Sequence, residues 1–298
     1  MRETLYADPS PARQADTPVL DYIKPAELVQ TMIDTGASKA ALTVGQIFVR
    51  GMYGGALLAF ATSISFYADA QTGLPIVGAL LFPVGFAIIT LLGVDLITGY
   101  FALVPLAFLH KRMTFGQMLR ALFWVFVANL AGSLLYVVMM WIGFTMAGHA
   151  PDATGLGAFT MKIGLLKSVH YEQFGMVGAF TAFVKAMLCN WMVTLGVVLP
   201  YASRSAIGKV LGTYVPIFMF FAMGYEHMVV NMFIIPAAML FGAHITMSDW
   251  WIGNELPVTL GNFAGGFLFT GAALGWVFYT RKTVDEPIPP PAPRPARV

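Results

Sequence analysis

Charge is what this sequence has least of: 11% of its 298 residues are Asp, Glu, Lys or Arg and 58% are hydrophobic, against about 25% charged in a soluble domain. So few charges exclude a water-facing surface of ordinary kind, and they do not break the apolar runs as a soluble fold would require. The stretch from Ile76 to Pro105 holds Asp95 but no Lys, Arg or Glu, and scattered Gly and Pro do not exclude a span in lipid. A single cysteine, Cys189, excludes an intrachain disulfide. The formal net charge of +2 is far too small for a nucleic-acid-binding surface. Five histidines, at 110, 149, 170, 227 and 244, show no helical ligand spacing inside the apolar segments, and no ligand cluster accompanies them. No metal, cofactor or catalytic set is therefore assigned, and the chain does not read as an enzyme. The first forty residues are polar and lack the short apolar core of a cleavable signal peptide.

What is present is apolar sequence in membrane-length blocks. Taking about 20 residues per crossing, the chain predicts six spans, at 48–67, 77–109, 118–147, 180–202, 210–241 and 257–280. The organisation expected is a cytoplasmic N-terminal segment over 1–43, a membrane domain over 44–281 and a disordered tail over 282–298, where the sequence reads EPIPPPAPRPARV. Pro25 can open a helix before the first span, with Leu28, Met32 and Ile33 on one face, expected to lie along the inner membrane surface. With both termini inside, fourteen Lys and Arg residues fall on the inner side and only Lys162, Lys167 and Lys185 outside. The loops near 68–76 and 242–256 contain no Lys or Arg, so the positive-inside rule sets this orientation.

Two of the six segments are too long for one crossing, and each is interrupted by polar residues. Gly93-Val94-Asp95 and Gly224-Tyr225-Glu226 stand 131 positions apart, which makes the second and fifth spans correspond. Three spans per half put the halves in opposite orientations. Discontinuous helices at equivalent points of inverted repeats flank a permeation site near the midplane. Asp95 and Glu226 are read as supports, capping a half-helix or bonding the freed backbone N–H groups, because a carboxylate in the lumen would repel an anion. Thr98 can present a hydroxyl to the path or merely bond its own helix. His227 is either a satisfied core residue or, at a break opposite Thr98, the side chain able to donate a hydrogen bond or a proton.

The residues around these breaks resemble the formate/nitrite transporter family from about Pro25 to Arg281. The most specific match is Gly224-Tyr225-Glu226-His227 followed by Asn231-Met232-Phe233-Ile234-Ile235-Pro236. Asp95-Leu96-Ile97-Thr98-Gly99, Cys189-Asn190-Trp191 and Leu256-Pro257-Val258-Thr259-Leu260-Gly261-Asn262 with Gly265-Gly266 follow the same pattern.

The resemblance implies an all-α integral membrane protein with an aquaporin-like fold of six helices, assembled as a homopentamer in the bacterial inner membrane, with one pore per protomer. It implies a central site of His227 and Thr98, with Asn190 and Asn262 around it and Asn231 supporting the break. Apolar constrictions are expected at Phe82, Leu96 and Ile97 on the outer side and at Phe86 and Phe220 on the inner side. An outer lysine, Lys167 before Lys162, is expected to attract anions. The asparagines have a structural alternative as helix ties, the phenylalanines as packing, and the lysines as solvated charges. The substrate implied is a small monovalent anion, formate first and nitrite second, with hydrosulfide and lactate within the same family. A water or glycerol channel would need Asn-Pro-Ala loops, which the broken spans lack. A structural membrane scaffold would leave the two matched polar breaks without a reason.

Overall fold

The structure is a computed structural model that describes residues 21–279; the expected Pro-rich tail and the start of the N-terminal segment lie outside the described residues. The first span is Val44–Thr72, the third Phe115–Thr145, the fourth Gly175–Ala202 and the sixth Met247–Phe278. The second consists of Pro75–Leu92 and Ile97–Leu109, the fifth of Ala206–Ala222 and Met228–Leu240. Capping boxes start the first and third spans, where Thr43 and Thr114 exchange bonds with Gln46 and Gln117. Large apolar side chains such as Phe60, Phe123, Met139 and Trp276 are exposed, as they are where hydrocarbon is the solvent.

The two halves repeat one another in detail. The first span packs most extensively on the third, and the fourth on the sixth. At these crossings a Cβ on Gly132 would stand 1.9 Å from the Met52 carbonyl oxygen, and one on Gly265 would stand 2.1 Å from that of Met187. We expect Gly132→Ala and Gly265→Ala each to lower stability by about 1–3 kcal/mol through overpacking. Thermal unfolding in detergent reads this, with Gly45→Ala, which meets nothing within 4 Å, as control; a melting point equal to the control's refutes the close crossing.

The N-terminal helix Pro25–Ala41 buries Met32 and Ile33 in a cluster with Leu103, Leu106 and Ala107, so this face is covered by the half-helix Ile97–Leu109. Its counterpart is a helix at Leu156–Lys167, in what the sequence presents as a loop. Gly36 lies against Leu103 and Ala107, and Gly164 against Ile234 and Ala238, which are matching positions of the two inner half-helices. Each half is therefore a short helix, a full span, a broken span and a full span. The fourth span begins at Gly175 rather than 180, and the sixth at Met247 rather than 257. In the sixth, helical structure continues through the π-helical stretch Trp251–Glu255, whose Asn254 and Glu255 are buried in protein contacts and so interrupt the hydropathy signal without ending the helix.

On the side of the N-terminal helix, Asp21 accepts from the backbone N–H groups of Arg204 and Ser205, both at 2.8 Å, and these bonds hold its carboxyl below the usual carboxylate range. This bond set ties the entry of the chain to the connection between the fourth and fifth spans.

Candidate functional site

Each broken span stops at a glycine in the left-handed region, Gly93 at φ 67° and Gly224 at φ 63°, where a side chain would be strained. The chain then runs extended for a few residues and restarts at Ile97 and Met228. The residues before the restarts, Leu96 and His227, hold equivalent positions with nearly equal backbone angles, φ −116° and −119°.

Two asparagines hold the restarts. Asn129 Oδ1 accepts from the Ile97 N–H at 2.8 Å, while its Nδ2 donates to Gly51 O at 2.7 Å and Asp95 O at 2.9 Å. Asn262 Oδ1 accepts from the Met228 N–H at 2.9 Å, while its Nδ2 donates to Ala186 O and Glu226 O, both at 2.9 Å. The third and sixth spans thus supply the same clamp to the two breaks. Asn129 was not anticipated from the sequence; a lone asparagine in a long apolar helix has no spacing signal, but its offset from the first break nearly matches that of Asn262 from the second.

The carboxylates play a different part from the one expected. Neither Asp95 nor Glu226 takes a freed backbone N–H with its side chain; each meets cations. Asp95 is paired with Lys39 and with Arg50, the latter at 2.9 Å, and Arg50 also donates to the Gly93 carbonyl. Glu226 accepts from Lys167 Nζ, Tyr171 Oη and Asn231 Nδ2, each at 2.9 Å. The asparagine clamps satisfy the break, so the acids are left to neutralise lysines that enter from the two short helices. Lys39 and Lys167 follow Gly36 and Gly164 in the same G-x-x-K pattern, the sequence signal that relates those helices.

Lys167 is consequently not a free vestibule charge. Its side chain is 14% exposed and bound to Glu226. Lys162 and Lys185 line the same cavity and meet no carboxylate among the described residues.

Between the breaks lie His227, 1% exposed, and Thr98, fully buried. His227 Nδ1 accepts from the Val230 N–H at 3.2 Å, so the imidazole caps its own half-helix. A nitrogen that accepts carries no proton, which puts the proton of the neutral ring on Nε2. Nε2 and the Thr98 hydroxyl have no partner among the described residues. The ring completes a triangle of aromatics, with Phe220 stacked at 5.6 Å, Phe86 edge-on at 6.1 Å and the two phenylalanines 6.4 Å apart.

Asn190 and Asn262 take mainly the structural alternative. Asn190 Nδ2 donates to Thr98 O at 3.1 Å and Asn262 O at 2.6 Å, linking the restart of the second span to the backbone of the sixth, and of the two asparagines only Asn190 has an unpartnered atom, Oδ1. The grouping of the phenylalanines also differs from the expectation. Phe220 lines the cavity on the Lys162 side, packs on Phe82 at 5.6 Å, and so belongs with it rather than on the opposite side. Phe82 stacks on Phe221 at 3.9 Å, and Phe86 lies 5.9 Å from Phe82 between that pair and His227. The reason is that Ala206–Ala222 carries Phe220 and Phe221 nearly to the break, where both meet Phe82. Leu96 and Ile97 are buried at the first break, with Leu96 against Gly54 of the first span.

Residues 26–276 match the sequence profile described as formate/nitrite transporter. Curated relatives include a probable formate transporter of Methanothermobacter thermautotrophicus, 32% identical over 88% of this chain and 98% of its own. The formate channel FocA of Escherichia coli is 29% identical over 90% of this chain and 98% of its own. Among solved structures, an FNT family ion channel superposes with a TM-score of 0.72 at 24% identity, covering 84% of this chain and 98% of that one. A pentameric formate channel with formate bound superposes with a TM-score of 0.64 at 23% identity, covering 79% and 97%.

Proposed function

Because this chain belongs to the formate/nitrite transporter family, we propose that it carries formate across a bacterial inner membrane, with both termini cytoplasmic, each protomer of a homopentamer having its own path. The observation that carries the site assignment is that His227 Nε2 and the Thr98 hydroxyl, one at each helix break, are buried donors without a hydrogen-bond partner among the described residues. A bare carboxylate would lose several kcal/mol on leaving water. Two half-helices begin at the breaks, so their positive ends offset part of that cost. His227 offers a hydrogen bond without first taking up a proton, since Nδ1 is already engaged. Protonation of the ring at Nδ1 would displace the Val230 N–H bond and let Nε2–H deliver its proton to formate, which then crosses the phenylalanine slit as the neutral acid.

Substrate identity is tested by liposome flux at two pH values with formate, nitrite, lactate and hydrosulfide in competition. Formate is expected to compete most strongly; nitrite displacing formate at lower concentration would reassign the substrate. The role of His227 is separated from its capping by His227→Asn, because asparagine caps helices well and donates from its amide but takes no charge. This variant is expected to keep measurable flux and to lose the rise of formate flux towards acid pH. A wild-type pH profile in His227→Asn would end the proton-donor role.

A further inference from the structure

The cavity on the Lys162 side is much larger than the proposed substrate. Its volume is about 750 Å³, within the ~300–1,000 Å³ typical of sites for drug-sized ligands, whereas an anion of three or four atoms fills little more than the ~30 Å³ share of one water. Its wall is aromatic: Phe66 and Phe159 meet edge to face at 5.1 Å, and Phe174 and Phe221 line it as well. Its charge is net positive, with Lys162, Lys167 and Lys185 set against Asp69 and Glu226 in the lining. Lys167 is neutralised by Glu226, but Lys162 and Lys185 also line it and have no carboxylate partner among the described residues. Lys185 is held in place over the Tyr171 ring, 5.7 Å from its centroid.

A wide aromatic chamber with a net positive lining and two ammonium groups out of contact with any carboxylate among the described residues fits a carboxylate that has a ring attached. We infer that this cavity is a binding site for aryl monocarboxylates, which lodge there and block the path from that side. The ring packs among Phe66, Phe159 and Phe174, and the carboxylate reaches Lys162 and Lys185. Such a ligand does not pass further, because Phe220 and Phe221, which line the cavity, are packed on Phe82. The inference extends the channel reading, on which only its block of flux depends.

Isothermal titration of the purified full-length protein with benzoate reads binding without reference to any transported anion. Saturable benzoate binding is expected, weakened at least tenfold in Lys162→Gln/Lys185→Gln and severalfold in Phe174→Ser, with no saturable binding of benzyl alcohol. Benzoate binding of wild-type strength in the double variant, or equal binding of the alcohol, overturns the site. In proteoliposomes, benzoate on the Lys162 side should lower anion uptake more than on the other side, and equal effects from both sides overturn the block. Since titration is independent of flux, a chain that binds benzoate but carries no formate would refute the substrate assignment and leave this site intact.

Discussion

Glu226→Gln is expected to lower stability by about 3–5 kcal/mol, the usual cost of leaving one partner of a buried ion pair alone. The substitution keeps the shape of the side chain and strands Lys167, whose side chain is 14% exposed and whose only carboxylate partner among the described residues is Glu226. Lys167→Met should be similarly damaging for the opposite reason, since it leaves a carboxylate that is 2% exposed without its cation. The double variant removes both charges and is expected to recover most of the loss. A double-mutant cycle on thermal unfolding measures the coupling; additive single effects would contradict a coupled pair. The other break provides a graded comparison. Asp95 has two cations, Lys39 with a side chain 16% exposed and Arg50 with one 36% exposed, so Asp95→Asn strands a lysine about as buried as Lys167 together with an arginine that water can solvate. That loss should be at least as large.

Asn262→Leu should be about as severe. It removes an acceptor from the Met228 N–H and a donor from the Ala186 and Glu226 carbonyls, three backbone groups packed around a fully buried side chain. Stranded buried groups cost about 1–3 kcal/mol each, although hydrogen bonds between spans are on average weaker in membranes. A loss of at least about 3 kcal/mol is expected, together with formate flux reduced beyond tenfold as the second break loses its shape. Asn129→Leu is expected to reproduce both effects from the other half. If either variant unfolds within about 1 kcal/mol of the wild type, the asparagine does not hold its break.

Much of this architecture is legible in the sequence, and the missing parts share a cause. The breaks are visible because Asp95 and Glu226 are costly in lipid and each follows a glycine within an overlong apolar run. His227 stands out for the same reason. The clamps are harder to see: Asn262 attracts notice only through its family motif and Asn129 not at all, because the need each meets, an orphan N–H on another span, is created by the fold. Lys167 illustrates the converse. In sequence it is an outer-loop cation, and only the return of the fifth span beside it shows that its charge is already answered. Phe220 is placed on the wrong side by sequence position because neither the number of turns before Gly224 nor the contact with Phe82 can be counted from hydropathy.

The paired positions before the two restarts have one more consequence. Two copies of a single unit set head to tail would present the same chemistry to an ion arriving from either face. Here leucine occupies one of these positions and histidine the other, while the residue two places on is threonine in the first half and valine in the second. The centre therefore has a front and a back, and equal gradients imposed in opposite directions are not the same experiment: the permeant meets its donors in the opposite order, and unequal initial rates are the natural signature of that order.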